Sequence, residues 1–442
     1  MKKFLVVLIA LLFAGSAFAQ DAPKGPEFKY GVWANAFAVT EQTEVKDVKR
    51  DFSEIRVKPT FTMGTENVSV VTAFEIDQFF GKGGDTTVQP NGSASNASYA
   101  DADADQIAVE VKWAYINVKD FFIPGLTAKA GLAPFVYSVG YNNDMPQFNL
   151  VYDAGVAKLD LAYVKVEENG LNNNTATGKM DSNDVQMFSA KLPVKIGDIT
   201  IAPAMLYAKA EKNHAVTALS GGATITDADL TAIGTTGEFK KMMPSIALAV
   251  NAGAFSLNAD FVYIKGESKD FDTDFKAYAG YANAGFKASD MLSINIFGMY
   301  TTGQDDSDDL TSFQAASGDE FEVGPLFIVN DGGLIGQVGV SKEYDKAMEG
   351  LMAYGLAVNL KVDKFAALAQ VAYATTTSDD IVDDKAIGTE FDLRLTYEVA
   401  PKTNFWVEGA YLMGGKYIET KYNAGNSCDD PMYYAAGLMT SI

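Results

Sequence analysis

Charged side chains recur at every second position in several segments of this 442-residue chain. Glu54, Arg56 and Lys58 alternate with apolar residues, and Glu390 and Asp392 flank Phe391 in the same way. Paired carboxylates can transfer protons in catalysis, whereas charges of both signs around water order the solvent and favour hydrophilic solutes. Either chemistry requires an element that presents alternate residues to one side.

Specific catalytic or cofactor motifs are missing from the sequence. The only histidine, His214, lies in a long connection without the serine and aspartate pattern of a triad. Phosphate-binding glycine loops, zinc spacings and dinucleotide fingerprints do not occur. Acid–base chemistry by paired carboxylates stays open, but we expect no enzyme, no catalytic residue and no cofactor.

An acidic segment, Asp101-Ala-Asp-Ala-Asp105, begins like a calcium-binding loop. The sixth position is Gln106 instead of glycine, and the twelfth is Lys112 instead of glutamate. We therefore expect no metal site there.

The overall charge and the cysteine count exclude two classes of protein. The formal net charge of −22 disfavours nucleic acid as a partner, because phosphate binding requires a basic surface. The single cysteine, Cys428, rules out an intramolecular disulfide framework.

The first residues predict export. Two lysines precede an apolar run, and Ala17-Phe-Ala19 forms a small-x-small cleavage site. We predict a signal peptide at residues 1–19, followed by a single domain at 20–442 because no linker separates independent blocks.

The repeating unit of the chain is a short turn followed by an alternating segment. After Asn251-Ala-Gly-Ala254, the residues from Phe255 to Tyr263 alternate apolar with polar, which is the period of a half-buried strand. Variants recur at 158–163, 364–373 and 404–411. Although 48% of the residues are hydrophobic, no long apolar run follows the signal peptide. This pattern is expected when one strand face meets lipid and the other meets water.

The connections between these segments alternate in length. We count eight short ones and nine long ones, which predicts 18 strands, with 16 to 20 allowed. The fold class is all-β, a transmembrane antiparallel up-and-down β-barrel with short periplasmic turns and long extracellular loops.

Two segments leave the strand number open. Residues 320–340 form either an extra hairpin, which would give 20 strands, or an apolar-tipped loop that folds into the lumen. Segment 148–154 is short, and weak pairing there would favour 16 strands. Another long connection is predicted at 136–147.

Aromatic residues near strand ends predict two interfacial girdles. The loop-side girdle comprises Tyr115, Tyr207, Tyr263, Tyr300, Tyr373 and Tyr411. The turn-side girdle comprises Phe255, Phe365, Phe405 and Trp406. In strand four, alternation places Trp113 and Tyr115 outward and Lys112 inward.

The same parity predicts which charges face the lumen. These residues are Glu54, Arg56, Lys58, Glu75, Asp77, Glu110, Lys112, Lys129, Asp260, Glu390, Asp392, Arg394 and Glu408.

The chain resembles Gram-negative outer-membrane porins in its signal peptide, its alternating architecture and its final strand. Tyr434, Ala436, Leu438, Thr440 and Ile442 resemble the carboxy-terminal signal of outer-membrane proteins, although the chain ends in Ile442 instead of phenylalanine. Segment 128–135 is similar to the porin strand before the constriction loop, but the connection 136–147 is short for such a loop.

The resemblance implies a passive diffusion channel in the outer membrane for small hydrophilic solutes or ions. Outer-membrane lipid and lipopolysaccharide are the expected surroundings, and trimers are common among porins. Acidic loops favour a weak cation preference. Two alternatives are a non-conducting structural or surface-binding barrel, plugged by residues 304–348, and a sleeve for a partner protein.

Overall fold

The computed structural model describes residues 25–42, 49–80, 108–138, 141–167, 185–210, 239–268, 273–305, 309–313, 325–329, 334, 349–378, 385–422 and 429–442. The predicted signal peptide, His214, the segment 101–105 and Cys428 lie outside these residues. Within them, no helix is long and apolar enough to cross a membrane.

Nineteen strand segments alternate with turns and longer connections in the described residues. The strands are β1 (Glu27–Gln42), β2 (Lys49–Gly64), β3 (Val68–Phe80), β4 (Ala108–Val118), β5 (Leu126–Ser138), β6 (Tyr141–Asp153), β7 (Lys158–Glu167), β8 (Val185–Lys191), β9 (Val194–Ile196), β10 (Ile199–Ala210), β11 (Phe239–Ala252), β12 (Phe255–Ser268), β13 (Thr273–Lys287), β14 (Leu292–Thr301), β15 (Met352–Val362), β16 (Phe365–Thr375), β17 (Ala386–Ala400), β18 (Thr403–Gly414) and β19 (Met432–Ser441). A short helix, α1 (Lys416–Tyr422), follows β18.

The strands form one antiparallel sheet that closes on itself. β1 pairs with β2 on one edge and with β19 on the other, with Ala36 opposite Leu438 in the closing register. Both β8 and β9 pair with β10, so they are two halves of one strand interrupted at Leu192-Pro193. The result is a closed barrel of 18 strands, and the predicted fold class is confirmed.

Both alternative strand counts are wrong. Segment 148–154 belongs largely to β6, a strand of 13 residues that pairs on both sides. The described residues of 320–340, namely 325–329 and Leu334, belong to no strand.

The two faces of the sheet differ in polarity. On β2, Phe61 and Met63 are exposed on the outer face, whereas Glu54 on the opposite face is only 2% exposed. A closed sheet shields its inner face, so the alternation assigns apolar side chains to the outside and charged ones to the inside.

A β-bulge changes the parity of β4. Ala73 is opposite Trp113 and Phe74 is opposite Val111, so Lys112 is an additional residue in the ladder. Bulges re-aim the side chains that follow them. Trp113 and Tyr115 therefore face inward, and their predicted outward orientation is wrong.

Two members of the predicted girdles are also misplaced. Tyr115 lies near the short-turn end of β4 and stacks inside the barrel with Lys129, whose ammonium is 5.3 Å from the ring centroid. Trp406 is fully buried on the inner face and packs against Phe37, with ring centroids 5.9 Å apart.

Candidate functional site

The first part of the candidate site is a group of charges on the inner face of β2, β3 and β4, which we call the charged wall: Glu54, Arg56, Lys58, Glu75 and Lys112. Arg56 lies 3.2 Å from Glu54 and 3.5 Å from Glu75. The ammonium groups of Lys58 and Lys112 each lie 3.0 Å from the same Glu75 oxygen. Three cations therefore converge on one buried carboxylate.

The bulge of β4 extends this network to β6. Lys112 lies 3.3 Å from one carboxylate oxygen of Asp144, and the Trp113 indole donates a hydrogen bond of 2.6 Å to the other. Asp144 is thus held by two side chains that only a bulge can direct to the same side.

The upper half of the β5–β6 pair leaves the barrel wall. β4 pairs with β5 only up to Ala114 opposite Leu132, and β7 pairs with β6 only up to Val164 opposite Gln147. Residues 133–138 and 141–146 pair with each other alone, and we call them the inward hairpin. The predicted long connection at 136–147 is therefore wrong, because nearly all of it is strand.

The inward hairpin reaches through the lumen to the wall at β8 and β11. Tyr137 donates a buried hydrogen bond to the carbonyl of Met243 on β11, and Lys191 on β8 donates one of 3.3 Å to the carbonyl of Tyr137. Cα atoms of β5 approach those of β11 and β12 within 8 Å. Phe135 and Met145 are buried. The segment expected to be short for a constriction loop is a hairpin that enters the lumen.

The second part of the site lies on the inner face of β1, β16, β17 and β18, and we call it the anchoring wall: Asn35, Gln370, Glu390, Asp392 and Glu408. It holds the described residues 325–329 and Leu334, which we call the lumen strap. The two oxygens of Glu390 accept hydrogen bonds from the main-chain N–H groups of Ile328 at 2.7 Å and Val329 at 2.9 Å. A carboxylate that accepts such bonds binds about twice as strongly as a neutral acceptor.

Further contacts fix both ends of the lumen strap. The main-chain N–H of Leu334 donates a hydrogen bond of 2.8 Å to Glu408, and the carbonyl of Leu334 accepts one of 3.1 Å from Asn35. Gln370 donates to the carbonyl of Pro325 at 2.5 Å. The side chains of residues 326–329 are almost completely buried. Of the two structures predicted for residues 320–340, the described residues agree with the loop that folds into the lumen and not with an extra hairpin.

Arg394 links the anchoring wall to the lumen strap. Its Nε donates a hydrogen bond of 2.8 Å to Glu408, and its guanidinium lies 4.6 Å from the centroid of the Phe327 ring. One cation therefore balances a wall carboxylate and packs on the strap.

The other residues of the predicted lining are placed here by strand register or by one contact, and the side chain of Asp77 lies outside the part that the structure describes. Glu110 is opposite Glu75 and is exposed, and Asp77 is opposite Arg56 in the strand register. Lys129 contacts Tyr115, and Asp260 is opposite Tyr281 on β13.

The predicted lining was limited to charged residues and therefore missed several uncharged residues of the site. Trp113, Gln370 and Asn35 contribute hydrogen bonds there, and Trp406 donates one of 3.0 Å to Asn35. Their inward positions follow from strand parity except at Trp113, where the bulge intervenes. Within the described residues, no group of three or more His, Cys, Asp or Glu side chains could hold a metal ion.

The architecture is a closed antiparallel barrel of 18 strands. No family model and no curated protein sequence matches the chain. Solved structures of outer-membrane porins from Pseudomonas aeruginosa do match it.

OpdG (OccK9) is 10% identical, with a TM-score of 0.55 over 94% of this chain and 98% of that one. OpdK with vanillate is 10% identical, with a TM-score of 0.54 over 94% and 98%. OprE (OccK8) is 11% identical, with a TM-score of 0.52 over the same shares. At these identities the likeness shows a shared fold.

Proposed function

We propose that this protein is a passive channel of the outer membrane for small hydrophilic solutes or ions. The observation that carries the proposal is the polarity of the closed barrel, which is charged inside and apolar outside. An inner surface with Arg56, Lys58 and Lys112 beside Glu54 and Glu75 stabilises water and hydrophilic solutes. An apolar outer surface requires lipid around it.

The inward hairpin and the lumen strap would narrow this channel. The hairpin reaches the wall at β11, and the strap covers part of the wall at β16–β18. Solutes would then pass beside the charged wall, which the inward hairpin contacts through the Asp144 side chain. The solute would be attracted there by both signs of charge.

A non-conducting, plugged barrel is the second candidate function. The burial of Leu326, Phe327 and Ile328 inside the barrel favours it, because these side chains occupy space that a solute would need. The sleeve for a partner protein has no comparable observation in its favour.

Single-channel recording separates the two candidates. The purified protein would be inserted into a planar bilayer under a salt gradient, beside a variant in which residues 325–334 are replaced by ten Gly and Ser residues. Steady current from the unaltered protein supports the channel. Current from the strap-replaced variant alone supports the plugged barrel, and silence of both, although folded by heat-modifiable gel mobility, contradicts the channel.

A further inference from the structure

We propose that the anchoring wall is a binding site for a short peptide with a free amino terminus that takes the turn of residues 327–329, and that the lumen strap occupies it as an internal substitute. The proposal deepens the channel function on which it rests, because it names a class of solute for the channel. Five hydrogen bonds from four side chains to the strap, two buried acceptors and the charge of the wall carry it.

The anchoring wall contacts the main chain of the lumen strap. Glu390 and Glu408 accept from N–H groups, whereas Gln370 and Asn35 donate to carbonyls. Donors for carbonyls and acceptors for N–H groups suit the main chain of a peptide of any sequence, here in the turn that residues 327–329 form. Leu326, Ile328 and Val329 are held by burial, whereas Phe327 also packs against Arg394, so the wall would tolerate other apolar side chains beside an aromatic one.

Two acceptors of the wall are left without a donor. Asp392 Oδ1 and Gln370 Oε1 accept no hydrogen bond within the described residues, although the two side chains are only 4% and 5% exposed. Both lie beside Pro325, since Gln370 Nε2 donates to the Pro325 carbonyl and, at 2.6 Å, to Asp392. Proline has no N–H group to offer them.

The ammonium group of a peptide amino terminus would satisfy these acceptors. It carries three donors and a positive charge, and buried acceptors without a partner cost free energy. Glu390 and Asp392 share a hydrogen bond and therefore a proton between their carboxyl groups. Among the described residues these two groups and Glu408 face one cation, Arg394, so the wall keeps an excess of about one negative charge. A peptide with a free amino terminus therefore supplies what the strap lacks.

The direct test is binding by isothermal titration calorimetry with the strap-replaced variant in detergent. The probe is the hexapeptide Leu-Phe-Ile-Val-Asn-Asp, which copies residues 326–331, beside its N-acetylated form. We expect the free peptide to bind the strap-replaced variant and the acetylated form to bind about tenfold more weakly, because one charge-assisted hydrogen bond is lost. Glu390→Gln in the same background should weaken binding by a similar factor, while Glu419→Gln, an exposed carboxylate on α1, should not.

Absence of binding to the folded strap-replaced variant would overturn the proposal, as would equal binding of both peptide forms.

A second measurement keeps it testable if this variant fails to fold. In the intact chain with Cys428→Ser and Val329→Cys, millimolar free peptide should speed thiol labelling of position 329 by displacing the strap, and an unchanged rate contradicts the proposal. Conductance without peptide binding would reject only the peptide site, whereas peptide binding without conductance would reject only the channel.

Discussion

Individual buried polar residues in this barrel exchange water for main-chain partners. Glu390 is fully buried and accepts from two consecutive N–H groups of the lumen strap. A buried carboxylate without such partners is costly. The strap and Glu390 therefore stabilise each other.

Replacement of Glu390 by glutamine should release the lumen strap. The amide keeps one acceptor but directs an NH₂ group at a main-chain N–H, and the loss of a charge-assisted bond corresponds to about a tenfold shift in strap release. Thiol labelling of Val329→Cys in a Cys428→Ser background measures that release. Glu419→Gln serves as the control, and an unchanged labelling rate in Glu390→Gln would contradict the anchoring role.

Tyr137 provides an independent prediction at the tip of the inward hairpin. Its buried hydroxyl donates to the carbonyl of Met243, so Tyr137→Phe should lower the free energy of unfolding by about 1 kcal/mol. Tyr152→Phe is the matched control, because Tyr152 is 41% exposed on the outer face. Urea unfolding in lipid vesicles, followed by tryptophan fluorescence, checks the difference, and equal midpoints for the two variants would argue against a hairpin anchored at β11.

At the scale of elements, the departure of β5 from the wall depends on a close backbone approach. Gly131 has φ of +131°, and a Cβ atom there would lie 2.3 Å from the carbonyl oxygen of Ala114. The last pair between β4 and β5 follows directly, at Leu132. Only glycine fits where the strand turns inward.

Gly131→Ala should therefore destabilise the barrel by about 1–3 kcal/mol, the usual range for a residue forced into a strained conformation. Gly298→Ala on β14 is the control, because its nearest atom would be at an ordinary 3.8 Å. The same urea unfolding assay compares the two. Equal stability of both variants would show that β5 does not need a glycine at its bend.

Strand parity predicted most of the elements, because lipid on one side and water on the other impose a period of two. It predicted the 18 strands and the inward orientation of Glu54 and Glu390. It failed at Trp113 and Tyr115, since the bulge at Lys112 adds one residue without a mark in the hydrophobic pattern. It also failed at 136–147, because a hairpin that leaves the wall is no longer bounded by lipid.

The apolar segment at 325–329 could not be placed from its composition. An apolar run has the same hydropathy whether it meets lipid as a strand or packs inside the barrel as a strap. The position of the lumen strap depends on polar partners at Gln370, Glu390 and Glu408, which are 36 or more residues away in sequence. Such pairings appear only once the barrel has closed.

At the scale of the whole molecule, the charged wall should set the ion preference of the channel. Neutralising Lys58 and Lys112 together with glutamine removes two positive charges beside Glu75, so the reversal potential should shift toward cation selectivity. Lys361→Gln, at an exposed position near a short turn, is the control. A shift toward anion selectivity, or none, would contradict a solute path along this wall.

The weak cation preference expected from the acidic loops stays a prediction that the unaltered protein tests in the same recording.

The most direct test of the central claim is the single-channel current of the folded, unaltered protein in a planar bilayer, recorded beside the strap-replaced variant. The account predicts a steady current from the unaltered protein and a larger one when the lumen strap no longer covers the anchoring wall. Folded protein that passes no current in either form would contradict the assignment of this barrel as a channel.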